Sequence, residues 1–175
     1  MAGVIMDKHI ILFRHAKSDW TNYHNDHDRE LAKRGIQAAG DMGKFLSNID
    51  KIPELIISST AIRTKKTIEI AAEVGKWDCP IEYTKKLYAT NPEQVLAIIQ
   101  GLSDNYKTVL LAGHEPTWST LTSMLIGGGS IDFPTAGMLR MSFHVHHWQT
   151  VSYGIGRLDW FMRPKLLNIK KTPEN

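Results

Sequence analysis

Two arginines and two histidines stand where apolar runs of this 175-residue sequence end. Arg14 and His15 follow "HIILF" (9–13), Arg63 follows "ELIIS" (54–58) within "SSTAIRTKKT", and His114 closes "TVLLAGH" (108–114). A guanidinium is a planar fork of N–H donors that grips the oxygens of an oxyanion in pairs. A neutral imidazole, with a reference pKa of about 6.5, is a nucleophile at cellular pH. The sequence pattern gives the two arginines no matched carboxylate, so the group calls for a counter-ion. The one that suits both the fork and the nucleophile is a dianionic phosphoryl group. In that chemistry a strand holds His15 rigidly, and Arg14 beside it holds the oxygens.

Groups so scattered in sequence meet only if buried strands carry them to one place. "HIILF", "ELIIS" and "TVLLAG" are short, rich in Ile, Leu and Val, and bounded by polar or turn residues. Strands covered on both faces of a parallel sheet read this way. Helical patterns lie between them. In residues 31–49, Gly35, Ala39, Met42, Leu46 and Ile49 share one face. The stretch 58–75 opens on hydroxyl residues able to cap and closes on Gly75. In 91–102, Asn91 is the expected cap and Pro92 the first helical residue. In 115–128, Pro116 lies near the start and Gly127 after the end. The last third alternates: Leu139, Met141, Phe143 and Val145 share a face within 138–148, and 150–161 is the expected hairpin partner. The order predicts a three-layer α/β/α sandwich around a mostly parallel sheet of about six strands. Ligands of open parallel sheets bind beyond the carboxyl ends of the strands, where helix amino-termini add positive field. All four groups fall at that pole.

Composition sets the frame. With 42% hydrophobic and 22% charged residues and no internal break, residues 1–175 read as one domain, its core about 9–167 and its tail 168–175 frayed. A formal charge of +3 is too small to argue for nucleic acid. Cys79 is the single cysteine, which rules out an internal disulfide and suits a reducing compartment. The start "MAGVIMDKHI" lacks the pattern of a secretory leader, and no apolar run approaches the roughly 20 residues of a membrane helix. The expectation is a cytoplasmic protein whose partners are neither nucleic acid nor membrane.

These residues resemble a known family. "RHAKS" resembles the RHG signature of the histidine phosphatase superfamily, Arg63 its second arginine, and His114 in "LLAGHEPT" its second histidine. "DHDRELAKRG" (26–35), "LYAT" (87–90), "GHEPTWSTL" (113–121), "FPTAG" (133–137) and "LDWFMRPKLL" (158–167) resemble its phosphohistidine phosphatase, SixA-like branch. The likeness runs from about residue 9 to 167 in the family's order. It implies that His15 is the nucleophile and forms a phosphohistidine, that Arg14, Arg63 and His114 surround the phosphoryl oxygens, and that neither metal nor cofactor takes part. The implied substrate is a phosphohistidine-bearing protein, with a small phosphorylated molecule as the alternative.

Two departures carry information. Ala16 replaces the usual Gly, and both are small enough for close approach. Ala89 falls near the position where relatives acting on sugar and glycerate phosphates place a Glu. An alkoxide leaving group needs a proton from such an acid, whereas an imidazole nitrogen is protonated readily near neutral pH. That favours phosphohistidine. Asp26 matches the family position of a proton donor, against a plainer reading in which Asp19, Asp26 and Asp28 cap or pair on the surface with Arg29 or Lys33. Ser18 is a second substrate-binding candidate. "HVHH" (144–147) would put His144 and His146 on one strand face and His147 on the other, with no carboxylate or cysteine nearby in sequence to complete a metal site. Trp20 and Trp118 lie beside the proposed site. Two other functions remain at this point: a small-molecule phosphatase or phosphoglycerate-mutase-like enzyme, and a phospho-ligand binding module without turnover.

Overall fold

A strand whose consecutive side chains are all apolar needs hydrocarbon against both faces. In the computed structural model, which describes residues 7–21 and 24–167, β1 (Lys8–Arg14) meets that requirement: Ile10, Ile11, Leu12 and Phe13 are all fully buried. Ile10 and Leu12 enter one hydrophobic layer and Ile11 and Phe13 the other. The same division holds along β2 (Leu55–Ser59) and β4 (Thr108–Gly113), where Leu55, Ile57, Val109 and Leu111 oppose Ile56, Leu110 and Ala112. One layer is closed by α1 (Lys33–Asn48) and α2 (Ile62–Gly75), through Ala39, Met42, Leu46, Ile68 and Ala71. The other is closed by α3 (Pro92–Gln100) and α4 (Thr117–Ile126), through Val95, Ile99, Trp118, Leu121 and Leu125. The result is the expected three-layer sandwich.

The sheet has six strands in the order β3-β2-β4-β1-β5-β6, with β3 at Ile81–Thr84, β5 at Met138–Phe143 and β6 at Arg157–Met162. β3, β2, β4 and β1 pair in parallel, while β5 runs antiparallel to both β1 and β6, so the sheet is mixed. The short helix α5 (Pro164–Leu167) ends the described chain. Residues 168–175, expected to fray, lie outside the described residues, as does the start of the chain through residue 6.

Two local expectations change. The hydroxyls ahead of α2 do not cap it, since its N-cap is Ala61 without a side-chain bond; the helix does close on Gly75, with Lys76 next in the left-handed conformation. Asn91 does cap α3, its side chain accepting from the Gln94 N–H at 2.9 Å. The strand carrying the histidine cluster stops at Phe143, so His144, His146 and His147 are not strand residues.

Candidate active site

β1 and β4 are neighbours in parallel register, with Arg14 opposite Gly113, so His15 and His114 leave the sheet side by side. Their rings stand 5.2 Å apart, centre to centre. The backbone of His15 is fixed from both directions. Its N–H donates to Gly113 O at 3.0 Å, and its carbonyl accepts from Ala136 N at 3.1 Å. The next N–H, of Ala16, donates to Thr67 Oγ1 at 2.9 Å, and that hydroxyl donates to Arg63 O at 2.7 Å. One hydroxyl on α2 therefore couples the His15 loop to the helix turn bearing Arg63.

The His15 side chain is 8% exposed, and its Nδ1 lies 2.8 Å from Ala16 O. A carbonyl can only accept, so Nδ1 carries the proton and Nε2 the lone pair. Burial, reinforced by His114, Arg63 and Arg14 and opposed by the Ala16 carbonyl, pushes the imidazole pKa down to about 3. The ring is held neutral, with its lone pair on Nε2.

His114 is arranged to match. An Arg63 N–H points at its Nδ1 at 3.3 Å, which assigns the lone pair there, and its Nε2–H faces Ser59 Oγ at 2.8 Å. Burial first, then Arg63, brings its pKa down to about 3 as well. Arg63, 4% exposed, donates through one terminal nitrogen to the Asp26 backbone carbonyl and through the other to Asp26 Oδ2 at 2.9 Å. Asp26 also accepts from Tyr88 Oη at 3.1 Å and from Arg29 at 2.7 Å. Burial pushes this carboxyl up, but Arg63, Tyr88 and Arg29 together outweigh it and hold it below the usual carboxylate range. The Tyr88 ring packs edge-on to His114, centres 5.7 Å apart, and to His27 at 4.9 Å. Arg14 turns one terminal nitrogen to Phe133 O at 2.6 Å. The Nε–H groups of Arg14 and Arg63 are buried and without a hydrogen-bond acceptor among the described residues. The two imidazoles and Arg63 thus form one cup, with the Arg14 charge felt by both rings, a setting suited to a tetrahedral oxyanion.

Of the residues singled out from sequence, Arg14, His15, Arg63 and His114 come together. Asp26 joins them, but as an ionised partner of Arg63, so Arg63 does have the matched carboxylate that the sequence pattern withheld. Ser18 lies next to this network. It is buried, and its hydroxyl accepts from Arg29 at 2.8 Å, bracing the arginine that braces Asp26. Trp118 is fully buried behind the site, whereas Trp20 is 59% exposed with the Arg29 guanidinium 3.7 Å from its ring centre. His144 and His147 go to separate carboxylates, Asp7 at 2.9 Å and Asp104 at 2.8 Å. No group of three or more potential metal ligands forms among the described residues. Sequence reasoning missed Ser59, Thr67 and Tyr88, hydroxyl residues whose value lies wholly in what the fold sets beside them.

The chain is similar to known proteins in sequence and in fold. The model of the histidine phosphatase superfamily (branch 1) matches residues 10–92. An uncharacterised protein of Mycobacterium tuberculosis is 36% identical over 165 residues, covering 87% of this chain and 99% of its own. Among solved structures, SixA from Agrobacterium tumefaciens is 27% identical with a TM-score of 0.74, covering 90% of this chain and 98% of its own. The protein histidine phosphatase SixA complexed with tungstate has a TM-score of 0.80 at 21% identity, covering 91% and 99%.

Proposed function

Because the chain belongs to the histidine phosphatase superfamily, we propose that it is a phosphatase working through a phosphohistidine at His15 Nε2, and that the group it removes is carried by a histidine of another protein. The observation that carries the reading is the cup itself: a buried neutral imidazole, its Nε2 free, 5.2 Å from a second imidazole and shared with Arg63, with the Arg14 charge felt by both rings. The Nε2 lone pair attacks phosphorus while Arg14 and Arg63 hold the equatorial oxygens, and His114 donates the third hydrogen bond on turning its N–H from Ser59. Such preorganised donors stabilise charge as it develops, and removing one costs about 10²–10³-fold in rate. Water then attacks the phosphoryl group and returns the electron pair to Nε2. The protein's own cations balance the charge, so no metal ion is needed for these steps.

The substrate class follows from the leaving group. Ala89, next to the Tyr88 ring that flanks His114, offers a methyl where relatives acting on sugar phosphates carry a carboxylic acid. A departing imidazole depends on such an acid far less than an alkoxide does. The likeness to SixA, named a protein histidine phosphatase, supports the same choice. A cytoplasmic location suits it, and among the described residues no helix is long and apolar enough to cross a membrane.

The test is a rapid alkaline quench of enzyme with a phosphohistidine peptide, followed by mass spectrometry. Phosphate should appear on His15 and be absent in His15→Ala. In steady state, phosphohistidine and phosphoramidate should exceed 3-phosphoglycerate and sugar phosphates in kcat/KM. The reverse order would identify a small-molecule phosphatase, and tight phospho-ligand binding without label on His15 would identify a binding module.

A further inference from the structure

We propose that Tyr88 is the specificity-determining residue of the site: its ring is the wall against which a planar, aromatic leaving group packs, so that the site selects a phosphoryl group borne by imidazole over one borne by ammonia or a saturated alcohol. That role rests on His15 being the nucleophile and names what recognises the group that leaves.

The position of the ring follows from its anchors. Tyr88 directly follows the single turn Lys85–Leu87, and Leu87 is fully buried in the layer closed by α3 and α4. The Tyr88 N–H donates to Lys85 O at 2.9 Å. Two residues on, Thr90 O accepts from Thr117 Oγ1 at 2.9 Å, which pins the loop to the start of α4. Ala89 between them has a φ of 49°, in the left-handed region that a residue with a Cβ seldom takes unless its surroundings impose it. The side chain is clamped too. Its hydroxyl donates to Asp26 Oδ2 at 3.1 Å, the oxygen that Arg63 holds at 2.9 Å. Its ring meets those of His114 and His27 nearly at right angles, with centres 5.7 Å and 4.9 Å away. His27 is set in turn by Thr60, whose Oγ1 lies 3.0 Å from its Nε2. Tyr88 nonetheless stays half-buried rather than enclosed. A ring tied at its hydroxyl and flanked by two others presents a fixed apolar surface at the mouth of the cup.

In-line transfer decides what meets that surface. His15 is buried and attacks from the floor of the cup, so the leaving atom departs on the opposite side, toward the mouth. There the wall beside His114 is Tyr88, and Ala89 after it carries no acid to serve an alkoxide. From a phosphohistidine protonated at its other ring nitrogen, the transfer balances without one. His15 Nε2 forms a bond to phosphorus, the bond from phosphorus to the leaving nitrogen breaks with its electron pair, and neutral imidazole departs. Aromatic rings in offset or edge-to-face contact gain stability beyond the area they bury. Ammonia and aliphatic alcohols have no ring with which to make that contact.

The test compares N-phosphoimidazole with phosphoramidate, two P–N substrates of which only the first carries a ring, as the ratio of their kcat/KM values. In the wild type that ratio should exceed the ratio of their uncatalysed hydrolysis rates at the same pH. Tyr88→Phe and Tyr88→Leu both lose the Asp26 bond, so both should slow the two substrates alike as Arg63 loosens, and a merely structural role would end there. Tyr88→Phe should keep the wild-type ratio, whereas Tyr88→Leu should lower it about 3–10-fold, the strength of one aromatic pair. Equal ratios in Tyr88→Phe and Tyr88→Leu overturn the proposal. So does a wild-type ratio no greater than the uncatalysed one, which decides the matter even where neither variant folds. Phosphate that never reaches His15 from either substrate overturns the site reading itself, a separable result.

Discussion

Arg63 is held in place before any substrate arrives. Asp26 grips it through a backbone carbonyl and a carboxylate oxygen, and Arg29, Tyr88 and Ser18 in turn hold Asp26 and its neighbour. Arg63→Ala is expected to lower kcat/KM by about 10²–10³-fold, the loss of one preorganised donor. Asp26→Asn leaves the guanidinium present but less well aimed, and misplacement of that kind costs up to about 10²-fold. If Asp26 works through Arg63, the double variant falls little below Arg63→Ala alone, because the two changes remove one function. Fully multiplicative losses would instead give Asp26 its own contact with substrate. Arg14, His15, Arg63 and His114 were legible in the sequence because cationic and imidazole groups gathered at the ends of apolar strands are costly to assemble without an anion between them. The Asp26 pairing was not legible: 37 residues separate it from Arg63, and an aspartate in a polar loop looks the same whether it faces water or a guanidinium.

At the scale of elements, the close approach of α4 to the end of β4 sets where His114 points. Gly113 permits it: a Cβ there would lie 2.7 Å from the Trp118 ring. Gly113→Ala should therefore push Trp118 and the start of α4 away, costing about 1–3 kcal/mol in denaturant unfolding by overpacking. It should also reduce turnover, since Gly113 O holds the His15 N–H. Adding Trp118→Phe removes the ring atoms in conflict and should restore part of both. If Gly113→Ala loses stability but keeps full activity, the geometry of His114 does not depend on this contact. The buried strands and the helix faces were legible because their apolar spacing allows one assignment. β3 was not: at the sheet edge it buries little, and the four residues of "IEYT" are too few to separate it from a loop. The histidine run after Phe143 misled for the opposite reason, since its alternation continues past the last ladder bond.

For the whole molecule, the site imposes a dependence on pH that the composition does not reveal. His15, His114 and His9 are all lowered from their ordinary pKa, burial being the first cause in each, and the first two reach about 3. In the unfolded chain each takes up a proton as pH falls through about 6.5, whereas in the native protein His15 and His114 stay neutral until about 3. The unfolded state thus binds more protons throughout that window, so native stability is complete above pH 6.5 and declines steadily as the solution is acidified toward 3. The three-layer burial that keeps His15 neutral is the same burial that penalises its charged form. Urea midpoints measured at pH 7.0 and 4.5 should fall for the wild type. The fall should be distinctly smaller for the double variant His15→Asn, His114→Asn, whose side chains do not titrate. Carboxylates begin to take up protons near pH 4.5, but they are common to both proteins, so the difference between the two falls reports the two imidazoles. Equal falls in the two proteins would mean that water reaches both rings in the native state, and the depth of the cup would then have to be redrawn.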